Sequence, residues 1–143
     1  MTAAIVGWAH TPFGKLSGES VESLIVRVAG EALADAGVSP KDVDEIVLGH
    51  FNAGFSAQDF TASLVLQASP DLRFKRATRV ENACATGSAA VHQGLKAIEA
   101  RSARIVLAVG WHILQSCGRF CGPARQLTQW TISISRLSAA HMN

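Results

Sequence analysis

What this chain has little of narrows its chemistry first. A net charge of only +2 is scattered along 143 residues, which leaves no basic footprint for nucleic acid. No stretch approaches the roughly 18 consecutive apolar residues that a membrane span needs. Met1 to Ala9 has neither a basic opening nor a sustained apolar run, so no secretory signal is read there. The three cysteines, Cys84, Cys117 and Cys121, are an odd number and do not form a disulfide framework. A reducing, cytoplasmic setting with no membrane and no nucleic-acid partner is the expectation. With 48% apolar and 17% charged residues the chain is globular. Its length allows one domain with a real core and not two of ordinary size.

What is there centres on Arg79-Val80-Glu81-Asn82-Ala83-Cys84-Ala85-Thr86-Gly87-Ser88-Ala89-Ala90. An extended, β-branched segment runs into a lone cysteine, and small residues follow that can open a helix. The implied geometry is strand, tight turn, helix, with Cys84 at or beside the helix N-terminus. Unpaired backbone N–H groups and the positive end of the helix dipole favour a thiolate at such a place. The small neighbours leave room for a substrate to reach the sulfur, which makes Cys84 the candidate nucleophile. A lone cysteine among alanines is equally the pattern of a small buried hydrophobe.

Taken in order, Ala3 to Gly7 predicts a buried strand, and Thr11-Pro12-Phe13-Gly14 a loop. Apolar residues at 21, 24, 25, 28, 29, 32, 33 and 36 predict a helix capped by Ser20 and closed by Gly37. Ser39-Pro40-Lys41-Asp42 predicts a short helical turn. Glu45 to Gly49 reads as a strand covered on both faces. Phe60, Leu64 and Ala68 predict a second helix over 58–68, and the charges of Arg73 to Arg76 a solvated turn. Ala77 to Val80 is the strand that delivers Cys84. Residues 87–102 predict a third helix, with Ala90, Val91, Leu95 and Ile98 inward, and Ile105 to Val109 a last apolar strand. This alternation predicts an α/β fold, a sheet with helices on both faces and its site beyond the carboxyl ends of the strands. His10 is expected in a surface loop, His92 partly buried on the third helix, and His50 at a strand end near a site. The glycine-containing loops lack a phosphate-binding pattern.

Three segments carry a family resemblance. Asn82-Ala83-Cys84-Ala85-Thr86-Gly87 resembles the Asn-x-x-Cys-x-Ser-Gly motif around the acyl-accepting cysteine of thiolases, with the Asn slightly shifted. Gly7-Trp8-Ala9-His10-Thr11-Pro12-Phe13-Gly14-Lys15 is similar to their Gly-x-x-Arg-Thr-Pro-x-Gly opening, with His10 where Arg is frequent. Asp44-Glu45-Ile46-Val47-Leu48-Gly49-His50 is similar to their second strand. The resemblance spans residues 3–110 and implies a thiolase-like half, with a mixed sheet, truncated against a family several hundred residues long. It implies acyl transfer between coenzyme A thioesters through an acyl-enzyme on Cys84, with acyl-CoA or coenzyme A as substrate rather than a resident cofactor. It also implies a homodimer or tetramer. The remaining machinery of thiolases comes from an Asn-Glu-Ala segment, a Gly-His-Pro histidine and a Cys-x-Gly cysteine, none of which occurs here, so turnover by this chain alone is not expected.

Beyond Gly110 the chain changes character. Residues 1–110 hold ten Lys/Arg and eleven Asp/Glu, whereas 111–143 hold Arg119, Arg125 and Arg136 and no acidic residue. Only Thr131 to Ser135 alternates like a strand. The loss of acidic residues together with the loss of resemblance points to a shift of reading frame near residue 110, with a genuine extension as the rival. His112, Cys117, Cys121 and His141 lack the paired spacing of a zinc site, and no metal is expected. A ketoacyl-synthase-like condensing enzyme fragment and a non-catalytic interaction module stand as the alternative functions.

Overall fold

A computed structural model describes residues 3–12, 16, 18–52, 57–114 and 126–137, with the backbone alone for 112–114 and 126–137. Cys117, Cys121 and His141 lie outside the described residues.

Strand β1 (Ala3–Ala9) leads to helix α1 (Val21–Asp35), whose start and stop are local chemistry. Ser20 accepts from the Ser23 N–H while the Ser23 hydroxyl accepts from the Ser20 N–H, a reciprocal cap. Gly37 follows at φ +61°, a left-handed conformation that costs glycine nothing. Leu24, Ile25, Val28, Ala29, Ala32 and Leu33 are all buried, as their spacing predicts. A 3₁₀ turn at Pro40–Asp42 precedes β2 (Glu45–His50), which is buried along its whole length.

The next segment departs from its sequence pattern. Helix α2 is only Thr61–Leu64, and Val65–Ala68 tightens into a 3₁₀ turn. Three residues per turn replace 3.6, so the i, i+4, i+8 face cannot persist. Phe60 sits ahead of the first turn and is 81% exposed, while Thr61, Ala62, Leu64 and Val65 are buried. The basic run is also more engaged than a solvated turn. Lys75 Nζ donates to the Lys41 carbonyl at 2.7 Å, and Arg76 pairs at 3.2 Å with the buried Glu45, its register partner.

Strand β3 (Arg76–Val80), helix α3 (Thr86–Glu99), β4 (Ile105–Leu114) and β5 (Gln126–Leu137) complete the described chain. The sheet order is β1-β5-β4-β2-β3. β2 runs parallel to β3 and β4, whereas β5 is antiparallel to both β1 and β4, so the sheet is mixed. The alternating stretch Thr131 to Ser135 lies within β5, paired on both sides.

Two cores flank the sheet. One places Ile25, Val28, Ala29 and Ala32 of α1 against Ile46, Leu48, Leu107 and Val109. The other places Ala90, Ala97 and Ile98 of α3 against Val47 and Val106. The inward face of α3 is smaller than its sequence suggests: Gly94 and Ala97 are buried, while Val91 and Leu95 are half-covered. A Cβ at Gly94 would lie 3.1 Å from Val106 Cγ1, so close seating of this helix requires small residues. His92 faces solvent rather than being partly buried. On edge strand β1, Ile5 and Trp8 are 60% and 58% exposed. No helix among the described residues is long and apolar enough to cross a membrane.

Asp44 ties the start of β2 to the start of β4. Its carboxylate accepts from the Arg104 and Ile105 N–H groups at 2.7 and 3.1 Å. Burial alone pushes this carboxyl up, but those two bonds, with the charges of Arg104 and Lys75, hold it below the ordinary carboxylate range. A depressed folded value means stability that is present above the unfolded value, near 3.9, and lost as pH falls through the folded one. Asp44→Asn is therefore expected to lower stability at pH 7 by about 1–2 kcal/mol. The gap to wild type should close in strong acid, well below the unfolded value, as wild type itself protonates. Denaturant midpoints at the two pH values read this directly.

Candidate functional site

The parallel strands β2, β3 and β4 end on one side of the sheet, and Cys84 lies beyond the end of β3. Asn82 turns out of the strand, and Ala83–Ala85 forms a single 3₁₀ turn that feeds into α3. Ala83 has φ +43°, a left-handed conformation unusual for a residue with a Cβ. Such strain persists only where the surroundings over-determine it. Here Thr86 does so: its hydroxyl donates to the Ala83 carbonyl at 2.6 Å and accepts from the Asn82 N–H at 2.9 Å. The Ala85 N–H closes the turn on the Asn82 carbonyl at 2.8 Å.

Glycine at the end of β2 lets this turn sit directly on the sheet. A Cβ at Gly49 would lie 2.4 Å from the Thr86 carbonyl oxygen and 3.0 Å from its carbon. The elbow thus rests on the one position of β2 with no side chain to keep it off.

Cys84 is exposed, not packed as a small hydrophobe. It opens on a cavity of about 380 Å³ lined by Ala83, Cys84, Ala85, Thr86, Gly87, Ser88 and Trp111. No side chain caps α3, so the backbone of its first turn is not shielded from the cavity by a capping group. A thiol sulfur beside a helix N-terminus, with small side chains around it, can add to a carbonyl whose oxygen gains negative charge.

The polar residues around the elbow are tied to it rather than free. Arg79, at the end of β3, pairs with Asp59 and, at 2.7 Å, with Glu81, and its Nε donates to the His50 carbonyl at 3.4 Å. It thereby links the ends of β2 and β3 to the residues before α2. His50 is buried, with Nδ1 3.1 Å from Thr61 Oγ1 and its ring edge-on to Trp111 at a centroid distance of 4.2 Å. Sequence reading placed His50 near a site but missed Trp111, Thr86 and Arg79. A threonine two residues past the cysteine was the one available signal, since hydroxyl residues favour turn and cap positions. His10 is half-buried in the loop after β1. No cluster of potential metal ligands occurs among the described residues.

Comparison with known proteins fits this geometry. The family profile described as thiolase, N-terminal domain, matches residues 3–116. This chain belongs to the thiolase family. The match runs past Gly110 and takes in all of β4, further than the motifs alone reach. The acetyl-CoA acetyltransferase of Methanocaldococcus jannaschii is 39% identical over 108 residues, 75% of this chain and 27% of that protein. The chain therefore spans about a quarter of that relative's length. Among solved structures, the Acat5 thiolase of Ascaris suum, determined in complex with coenzyme A, aligns with TM-score 0.67 at 21% identity. That alignment covers 89% of this chain and 36% of the other. The 3-oxoacyl-[acyl-carrier-protein] synthase III of Aquifex aeolicus aligns with TM-score 0.74 at 18% identity, over 96% of this chain and 55% of the other. At that identity the likeness is one of fold, and the family match decides for thiolase over the ketoacyl-synthase alternative.

Proposed function

We propose that this thiolase N-terminal unit carries the acyl-accepting half of a coenzyme A thioester transferase, with Cys84 as the acyl acceptor. The observation that carries the reading is the exposed sulfur on a strained elbow, at the open start of α3 and facing a cavity. The likeness to acetyl-CoA acetyltransferases supports acetyl-CoA as the donor.

In the first step the Cys84 sulfur adds to the thioester carbonyl. The bond from that carbon to the coenzyme A sulfur then breaks, leaving an acyl-Cys84 thioester. The proton lost by the Cys84 thiol ends on the departing coenzyme A thiol, so atoms and charge balance. The step is near thermoneutral because one thioester replaces another. Sulfur serves both as nucleophile and, in the return step, as leaving group.

Incubation with acetyl-CoA followed by peptide mapping tests this. One acetyl group is expected on the Cys84 peptide and none on the corresponding peptide of the C84S variant. No acetylation of Cys84, or equal acetylation of Cys117 and Cys121, overturns the reading.

A further inference from the structure

We propose that Arg79 is a positioning residue for Cys84, acting through Glu81 to fix the direction in which the chain leaves β3. The proposal rests on the reading of Cys84 as acyl acceptor.

The elbow has little burial to hold it. Residues 81–85 are all exposed, so no side chain of the turn anchors it in a core. Sheet pairing does not reach it either, since the β2–β3 register ends at Gly49 and Val80. Glu81 is the first residue beyond that pairing. From the helix side, the Thr86 hydroxyl grips Asn82 and Ala83. From the strand side, Arg79 Nη2 holds Glu81 Oε2 at 2.7 Å. The strained turn is thus held at both ends by side-chain hydrogen bonds rather than by packing.

Arg79 is itself placed firmly enough to act as that anchor. Its Nε donates to the His50 carbonyl at 3.4 Å, and its Nη1 pairs with Asp59. Asn52 Nδ2 in turn donates to Asp59 at 3.2 Å. One planar guanidinium therefore joins the end of β2, the residues before α2 and Glu81. An isolated surface ion pair contributes little, because ordering two long side chains costs entropy and water screens the charges. The Arg79 side chain is only 27% exposed, and ordering it once serves contacts to three segments. Lysine keeps the charge but places it on one atom, without the fork. With Glu81 released, the turn can relax from its strand end, and Cys84 shifts relative to the start of α3.

Alkylation of Cys84 by iodoacetamide tests this without coenzyme A, at a temperature where melts show each variant folded. Arg79→Met should slow Cys84 by about three- to tenfold, and Arg79→Lys should restore little of the rate. Glu81→Ala removes an exposed acceptor and leaves the Asp59 contact in place, yet it should slow Cys84 to a similar degree. The double variant should be no slower than Arg79→Met, because both changes cut the same contact. Asp44→Asn, at the starts of β2 and β4, is the control: it lowers stability but should leave the Cys84 rate within about twofold of wild type. Loading from acetyl-CoA adds a second readout, in which Arg79→Met lowers the maximal rate and leaves the half-saturating concentration unchanged. A wild-type alkylation rate in Glu81→Ala overturns the proposal whether or not Arg79→Met folds. Equal slowing by Asp44→Asn, additive losses in the double variant, or full rescue by lysine overturns it as well. Failure of acetyl-CoA to load Cys84 while the alkylation rates behave as expected would sink the acyl-transfer reading and leave the role of Arg79 standing.

Discussion

Gly49→Ala is expected to lower stability by about 3 kcal/mol and to slow modification of Cys84 in the same protein. The new methyl group would lie 2.4 Å from the Thr86 carbonyl oxygen, 2.9 Å from Thr86 Cγ2 and 3.0 Å from the Thr86 carbonyl carbon. Two of those three atoms are backbone at the start of α3, so no side-chain rotation relieves the clash. Either the helix start lifts off β2 or the strand bends, and each outcome disturbs the turn that presents Cys84. Gly30→Ala supplies the control, because a Cβ there meets open space on an exposed helix position. That change should raise stability by roughly 0.5–1 kcal/mol through helix propensity. Thermal melts of the two variants, with iodoacetamide labelling of Cys84, read both effects. A Gly49→Ala protein as stable as wild type would mean that α3 does not rest on β2 as described.

How far the sequence foretold this site depends on whether the signal was local. Ser20, the apolar period after it and Gly37 are all local to one helix and its two ends, and α1 forms where they put it. The same holds for Cys84: an extended run, then small residues, is enough to place a thiol between a strand and a helix. Phe60 misled because an apolar period reads as a face only when the helix keeps 3.6 residues per turn, and here it tightens after Leu64. The His50–Trp111 pair could not be read at all. Its members are 61 positions apart and meet only because β2 and β4 lie side by side in parallel register. Nothing near either residue encodes that register. Gly49 lies between these cases: a glycine closing an apolar strand is visible in the sequence, but its reason is the carbonyl of Thr86, which the chain brings back from 37 residues away.

Thr86→Val is the sharper probe of the elbow, since it keeps the shape of the side chain and deletes both hydrogen bonds. The Asn82 N–H loses its acceptor and the Ala83 carbonyl loses its donor, in a place where Thr86 itself is only 5% exposed. The expected loss of stability is about 2 kcal/mol, from two broken bonds whose partners are left partly buried. The consequence for Cys84 should be larger than that figure suggests. Ala83 holds φ +43° against its own preference, and the Thr86 hydroxyl is what grips its carbonyl. Released, Ala83 can relax toward negative φ, which rotates the next peptide and swings Cys84 away from the start of α3. Loading of an acetyl group from acetyl-CoA is expected to fall about tenfold or more, beyond any effect of unfolding at the assay temperature. Thr86→Ser restores the hydroxyl and should restore loading even though it does not restore the buried methyl group. If valine loads as fast as threonine, the strain at Ala83 is incidental and Cys84 is presented by the helix alone. If serine rescues and valine does not, the hydroxyl that bridges Asn82 and Ala83 is the part of the elbow that keeps the sulfur in place.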